Sequence, residues 1–302
     1  MSKLITVFGA TGNQGGSVIK ALLADATLSK EFKIRGITRD ASKPAAQALV
    51  SKGVEMTTAD LSSKPSLQDA LAGSHTVFLV TNYWETADAA VELTQGKNVA
   101  EVSKDLGVQH LIFSSLLNVS EASGGRLTHV PHFDGKAEIQ RYIKASGVPC
   151  SFYLPGYFMS NYASQLNEGD DGVVSLAYPV SAKARFPLVD IAEDTGKFVK
   201  AIIKNRDKLL GGQVYGAADY YTPEQILAEY EEVTGKKTRF VQVSNEQYKG
   251  FLPEKIAEEM LENHLFIEDP GYYNGADLKD SLGLLEEKPV TWKEFVAKSF
   301  KK

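Results

Sequence analysis

A single cysteine, Cys150, stands in a chain of 302 residues, so no intrachain disulfide can form. That fits a reducing compartment. Cys150 lies in an apolar strand pattern and reads as a small core side chain, with a redox role as the alternative. Positive charge is also short: 33 Lys and Arg stand against 38 Asp and Glu, a formal net charge of -5. A basic surface for direct nucleic-acid binding is therefore not expected, although a protein partner that itself binds DNA stays open. No apolar run reaches membrane-spanning length. Zinc-ligand spacings, internal repeats and low-complexity segments are missing too, and no metal site is expected. The first apolar strand begins almost at the N-terminus, which leaves no room for a signal or transit peptide. These absences lead us to expect a soluble cytoplasmic protein, with access to the nucleus left open.

What is present starts with Leu4-Ile5-Thr6-Val7-Phe8, followed at once by Gly9-Ala10-Thr11-Gly12-Asn13-Gln14-Gly15-Gly16. The apolar run reads as a buried strand, and Ser17 to Leu23 as a helix with one apolar face. Glycines at a strand-to-helix junction gather free N–H groups and the positive end of the helix dipole at one spot, an anion site. Gly9 permits the tight turn, Gly12 lets a pyrophosphate approach, and Gly15 lets the helix pack close to the strand. The spacing is G-x-x-G-x-x-G, not G-x-G-x-x-G. A dinucleotide loop is expected from its context, with an ordinary tight turn as the alternative.

Phe32 to Thr38 reads as the second strand, and its end specifies the cofactor. An acid there suits the ribose 2′-hydroxyl of NAD, an arginine the 2′-phosphate of NADP. Thr38-Arg39-Asp40 and Lys43 follow. Arg39 offers a planar fork and Lys43 a mobile charge, so NADP(H) is expected, with Asp40 as a displaced acid the competing reading.

Strands and helices alternate to about residue 155: strands near Val54–Thr58, Thr76–Val80, His110–Ser114 and Cys150–Leu154, and helices near Leu67–Leu71, Ala87–Leu106 and Pro131–Ser146. The pattern predicts an α/β fold, a Rossmann-type doubly wound parallel sheet, with a smaller mixed α/β C-terminal part. Residues 1–155 form the expected NADP(H)-binding part and 156–302 a substrate or partner region, with a segment near Arg185–Lys204 returning to the first. Pro155 to Asp171 reads as a loop with helical turns. Thr222-Pro223-Glu224 reads as a helix start, with Ile226, Leu227 and Tyr230 on one face.

The opening glycines, Thr81-Asn82-Tyr83-Trp84-Glu85, Gln95-Gly96-Lys97 and above all His132-Phe133-Asp134-Gly135-Lys136 resemble the NmrA-like family, atypical members of the short-chain dehydrogenase/reductase superfamily. The likeness covers nearly the whole chain and is nearest to HSCARG-type NADPH sensors. It implies NADP(H) binding and a redox-sensing regulatory role through a protein partner, with a homodimer left open. It also implies site residues. Gly9 to Gly15, with Thr11, Asn13 and Gln14, would take the pyrophosphate, and Arg39 and Lys43 the 2′-phosphate. Asp60 and Leu61 would flank the adenine, and Thr81, Asn82 and Tyr83 would line the ribose side. Lys97 and Lys136 would reach the nicotinamide half, over which Tyr157, Phe158, Met159 and Ser160 would close.

Ordinary relatives use Tyr-x-x-x-Lys on one helix, where residues four apart share a face. Here the corresponding positions are His132 and Lys136: the lysine is kept and the tyrosine is not. A histidine can act as general acid, yet a nearby ammonium favours its neutral form. His132 is therefore read as a local helix-start hydrogen bonder, a ligand contact or a catalytic acid, and Lys136 as a ribose contact or a solvated lysine. Ser114 and Ser115 could orient a carbonyl or simply end their strand. Tyr153 and Tyr157 could bring phenols near the site, and Trp84 and Phe133 could wall a pocket or pack. NADPH-dependent reduction of a small carbonyl, quinone or conjugated alkene is the competing function.

Overall fold

The computed structural model describes residues 2–300. Its strands are β1 (Lys3–Val7), β2 (Phe32–Thr38), β3 (Glu55–Thr58), β4 (Thr76–Leu79), β5 (His110–Ser114), β6 (Cys150–Pro155), β7 (Tyr157–Phe158), β8 (Leu166–Glu168), β9 (Val174–Tyr178), β10 (Phe186–Val189), β11 (Gln213–Gly216), β12 (Asp219–Tyr221) and β13 (Thr238–Gln242). Seven of them make one parallel sheet in the order β11-β6-β5-β4-β1-β2-β3. Every residue of β4, β5 and β6 is buried. Covered on both faces, these strands carry continuous apolar runs rather than an alternation.

Strand order reverses between β1 and β4. The chain runs outward through β2 and β3, then returns to lay β4 on the other side of β1. Loops leaving the carboxyl ends of β1 and β4 therefore diverge and open a crevice, the place where ligands bind in such sheets. The glycine loop follows β1, and Thr81 to Tyr83 follow β4.

Helix α1 (Asn13–Ala24) starts from the glycine loop. Helices α2 (Ala89–Asp105) and α3 (Pro131–Ser146) pack together, and α3 also meets β6. Gly96 makes that approach possible, since a Cβ there would lie 2.4 Å from the Ile139 side chain. Helix α4 (Ile191–Lys204) packs across α1. At their contact a Cβ on Gly196 would lie 2.2 Å from the Ser17 carbonyl oxygen, and the Gly196 N–H donates to Ser17 Oγ at 2.9 Å.

The sheet does not stop at residue 155. β11 pairs with β6, and α4 covers α1, so two later segments complete the first layer system. Pro155 to Asp171 also contains more than turns. β7 pairs with β10 and β8 with β9, partners distant in sequence. These short strands exist through tertiary pairing, which no local pattern announces.

The second half adds two three-stranded sheets, β12-β10-β7 and β13-β9-β8. Helix α5 (Pro223–Thr234) begins with a capping box between Thr222 and Gln225 and buries Ile226, Leu227 and Tyr230. Helix α6 (Glu254–Phe266) lies over the start of α3, and α7 (Trp292–Ser299) against α5. Trp292 is fully buried and donates its indole N–H to the Ile226 carbonyl at 2.8 Å. No helix among the described residues is long and apolar enough to cross a membrane.

Candidate functional site

The glycine loop has the geometry of an anion cradle. Gly9 sits at φ +63°, a left-handed conformation that favours glycine. A Cβ on Gly15 would lie 2.3 Å from the Gly9 carbonyl oxygen, so α1 can pack on the turn only because Gly15 has no side chain. Gly12 is the N-cap of α1, no side chain caps it, and its first turn holds no acid. Thr11, Gly12 and Asn13 are exposed at that end. The amide donors of the first turn thus face outward with the helix dipole behind them, the arrangement that receives a phosphate. Gln14 is held from below: its Oε1 accepts the Ser114 hydroxyl at 2.7 Å, which ties α1 to the end of β5.

At the adenosine end, Arg39 is exposed and its Nη1 lies 2.6 Å from Glu85 Oε1. Lys43 is exposed beside it. Asp40 turns back on its own loop, its Oδ1 accepting the Ser42 hydroxyl at 2.6 Å and the Ser42 N–H at 2.9 Å. These bonds hold its carboxyl below the usual range. Asp60 is exposed, with Oδ1 accepting the Ser62 N–H, and the Leu61 carbonyl accepts from Asn98 Nδ2 at 3.0 Å. The guanidinium exposed on this rim is therefore Arg39, paired with Glu85, while Asp40 is occupied locally.

Across the crevice the His132–Lys136 segment resolves into five separate jobs. Lys136 Nζ reaches across from α3 and donates to the Thr81 carbonyl at 3.1 Å, Thr81 Oγ1 at 2.8 Å and Glu92 Oε1 at 2.5 Å. The Thr81 hydroxyl donates to the same Glu92 oxygen at 2.7 Å. Gly135 lies beside the same carboxylate, where a Cβ would stand 3.6 Å from Glu92 Oε2, an ordinary contact. Asp134 accepts the Val119 and Ser120 N–H groups and the Ser120 hydroxyl, and so fixes the chain after β5. Phe133 is core, packed on Phe266 and Tyr272. His132 Nδ1 and its backbone N–H both meet Glu259 Oε1 of α6.

Glu259 also accepts the Tyr83 hydroxyl at 3.3 Å. Burial and this carboxylate push the Tyr83 phenol up to about 12. One helical turn along α6, Glu262 accepts the His129 N–H at 2.6 Å and meets its Nδ1 at 2.7 Å, an ion pair that raises the His129 imidazole above its ordinary value. Two carboxylates of α6 thus hold the first turn of α3 and the segment after β4 together. The Lys136 ammonium faces Glu92, and the His132 imidazole has its own carboxylate in Glu259.

Other expected residues fall in different places. Lys97 is not brought to this cluster: its ammonium sits 5.1 Å from the centre of the Tyr142 ring, further along the α2–α3 seam. The Tyr157 phenol turns inward, accepts from Gln165 Nε2 at 2.6 Å, and is pushed up by burial. Met159 is fully buried, while Phe158 is half-buried and Ser160 exposed. Tyr153 lies under α4, its hydroxyl toward Thr195. The Ser115 hydroxyl donates to the Lys136 carbonyl at 3.3 Å. Trp84 is 47% exposed, its ring 5.1 Å from that of His132. Asn82 is exposed. A concavity of about 520 Å³ lined by Lys3, His75, Gln109 and Arg206 opens at the opposite, amino-terminal edge of the sheet, away from these groups.

The sheet order and the glycine cradle define the class: a doubly wound α/β protein with a dinucleotide-type crevice. The family model for the NmrA-like family matches residues 1–296, and the chain belongs to that family. It is 31% identical over 260 residues to the NmrA-like family domain-containing oxidoreductase malD of Malbranchea aurantiaca, covering 80% of this chain and 76% of the relative. Among solved structures, NmrA, a negative transcriptional regulator, superposes with TM-score 0.84 at 20% identity, covering 99% of this chain and 96% of that one. The triphenylmethane reductase of Citrobacter sp., in complex with NADP(H), superposes with TM-score 0.78 at 22% identity over 97% of this chain and 99% of that one.

Proposed function

We propose that this chain is an NADP(H)-responsive regulatory protein. Gly9 to Gly15 hold the pyrophosphate, Arg39 and Lys43 the 2′-phosphate, and Asp60 and Leu61 flank the adenine. Thr81, Asn82 and Tyr83 border the ribose, Lys136 meets the nicotinamide half, and Phe158 and Ser160 lie over it. The observation that carries the reading is Glu259. This one carboxylate engages Tyr83 from the β4 side and His132 from the α3 side, so a dinucleotide that shifts either group also shifts the seating of α6. That helix is then the surface on which a protein partner reads the cofactor. The regulator NmrA, which shares the fold over almost all of the chain, supports this reading.

A regulator of this kind must distinguish its ligands, because an equilibrium moves only through differential affinity. Calorimetric titration with NADPH, NADP⁺ and NADH is expected to give unequal affinities, the two phosphorylated cofactors binding tighter. Hydrogen exchange over residues 254–266 is expected to differ between the NADPH and NADP⁺ complexes. Equal binding of all three, or identical exchange in both complexes, would remove the proposal.

A second reading is favoured by the His132–Glu259 pair: NADPH-dependent reduction of a small carbonyl, quinone or conjugated alkene. The cofactor supplies hydride when bound. Only as the imidazolium, with Nδ1–H donating to Glu259, would His132 have an Nε2–H to give to a developing oxyanion. The relative malD, named an oxidoreductase, supports it. A substrate panel followed by NADPH absorbance separates the two readings. Turnover lost in His132→Phe, with cofactor affinity intact, would favour this second reading.

A further inference from the structure

We propose that Glu92 is the positioning residue of this site: with Thr81 it fixes the Lys136 ammonium beside the end of β4, where it would meet the cofactor ribose. The inference rests on the reading of Lys136 as a cofactor contact.

Three observations carry it. First, Lys136 Nζ lies within hydrogen-bond distance of three oxygens, two on Thr81 and one on Glu92, and a ribose hydroxyl would take the place of the longest, the 3.1 Å contact to the Thr81 carbonyl. The head group is thereby set in position and direction rather than left to wander on a flexible stem. Second, Glu92 stands on the face of α2 that meets α3, together with Gly96, Val99 and Ser103. There the fold buries a carboxylate that is 1% exposed, whose Oε2 has no hydrogen-bond partner among the described residues. A buried acceptor left unsatisfied costs stability, and groups retained at such a cost cluster where function needs them. Third, Lys136 is itself only 13% exposed, and burial pushes its ammonium down from the ordinary lysine value while Glu92 opposes that shift. Without the carboxylate, nothing would oppose the downward push of burial.

The charged and titratable groups around Lys136 are few. Glu92 faces it from α2, and Thr81 contributes only neutral oxygens from the end of β4. On its own helix His132 stands one turn earlier, and Asp134 turns away to Val119 and Ser120. Glu259 of α6 and Tyr83 engage each other and His132 rather than Lys136. Glu92 is thus the one carboxylate bound to this ammonium among the described residues.

The test is the dissociation constant for NADPH between pH 7 and pH 9 in the full-length protein and in Glu92→Gln, Glu92→Asp and Lys136→Met. Melting curves check that each variant is folded. Glu92→Gln is expected to lose affinity as pH rises, approaching about tenfold per unit once the amine titrates, while the wild type stays shallow over the same range. Glu92→Asp, which keeps the charge, is expected to return toward the wild-type profile. Lys136→Met is expected to bind weakly at every pH. If Glu92→Gln keeps the wild-type affinity and profile while Lys136→Met is weak, the role of Glu92 is overturned and the cofactor contact stands. If Lys136→Met binds as wild type, the contact itself falls. Side-chain nitrogen NMR of Lys136 in the wild type gives a readout that no misfolded variant can spoil. An amine already deprotonated at pH 8 overturns the proposal, and one still protonated supports it.

Discussion

Adding one methyl group at Gly15 would bring a carbon within 2.3 Å of the Gly9 carbonyl oxygen and 2.5 Å of that of Phe8. Both are backbone atoms, so α1 must move off the turn. Gly15→Ala is therefore expected to abolish detectable NADPH binding and to lower the melting temperature, which titration and calorimetry would check. Arg39 acts at the other end. A charge-assisted fork to a phosphate contributes about 1.5–3 kcal/mol, so Arg39→Ala should weaken NADPH binding by roughly 10- to 100-fold and leave NADH nearly unchanged. Equal losses for both cofactors would place Arg39 away from the 2′-phosphate. The glycines were legible in the sequence because their roles are local: a turn, a close approach and a helix start lie within a few residues. Glu92 left a weaker trace, an acid at the buried spacing of Gly96, Val99 and Ser103. Glu259 left none, since its partner His132 is 127 residues away and only the folded chain brings them together.

Among the elements, α6 is joined to the nucleotide layer by carboxylates as well as by packing. Glu259→Gln with Glu262→Gln is expected to weaken its seating on the start of α3, and faster amide exchange across 254–266, with the central sheet unaffected, would report it. Unchanged exchange would mean that apolar contacts alone seat the helix. Helix α4 carries a different charge problem. Asp194 is fully buried and, despite Lys197 and the Val290 N–H, burial raises its carboxyl to about 6 from 3.8. A group raised on folding favours the native state fully below its unfolded value and loses that advantage as pH rises through the folded one. Asp194 should therefore add about 2 kcal/mol as pH falls from 7 to 4, and Asp194→Asn should flatten that slope in denaturant titrations. Long elements such as α2 and α3 were readable from periodicity and caps. β7 and β8 were not, because two or three residues carry too little pattern and their partners lie far along the chain.

For the molecule as a whole, the division at residue 155 describes the chain order better than the architecture. β6 would be left an unpaired edge, and α1 would lose its cover, if the chain ended there. A fragment of residues 1–155 is expected to lack a cooperative melting transition and to aggregate. The intact chain is expected to gain about 2.7 kcal/mol at a NADPH concentration a hundredfold above its dissociation constant, an upward shift of a few degrees in melting temperature. The chain also holds its own optical gauge. Of two tryptophans, Trp292 is sealed in the core, whereas Trp84 stands half in solvent next to His132 and to the Glu85 that holds Arg39. Aqueous quenchers should dim only the second indole, and a reduced nicotinamide entering the crevice would drain its emission. Occupancy could therefore be followed photon by photon in unlabelled protein.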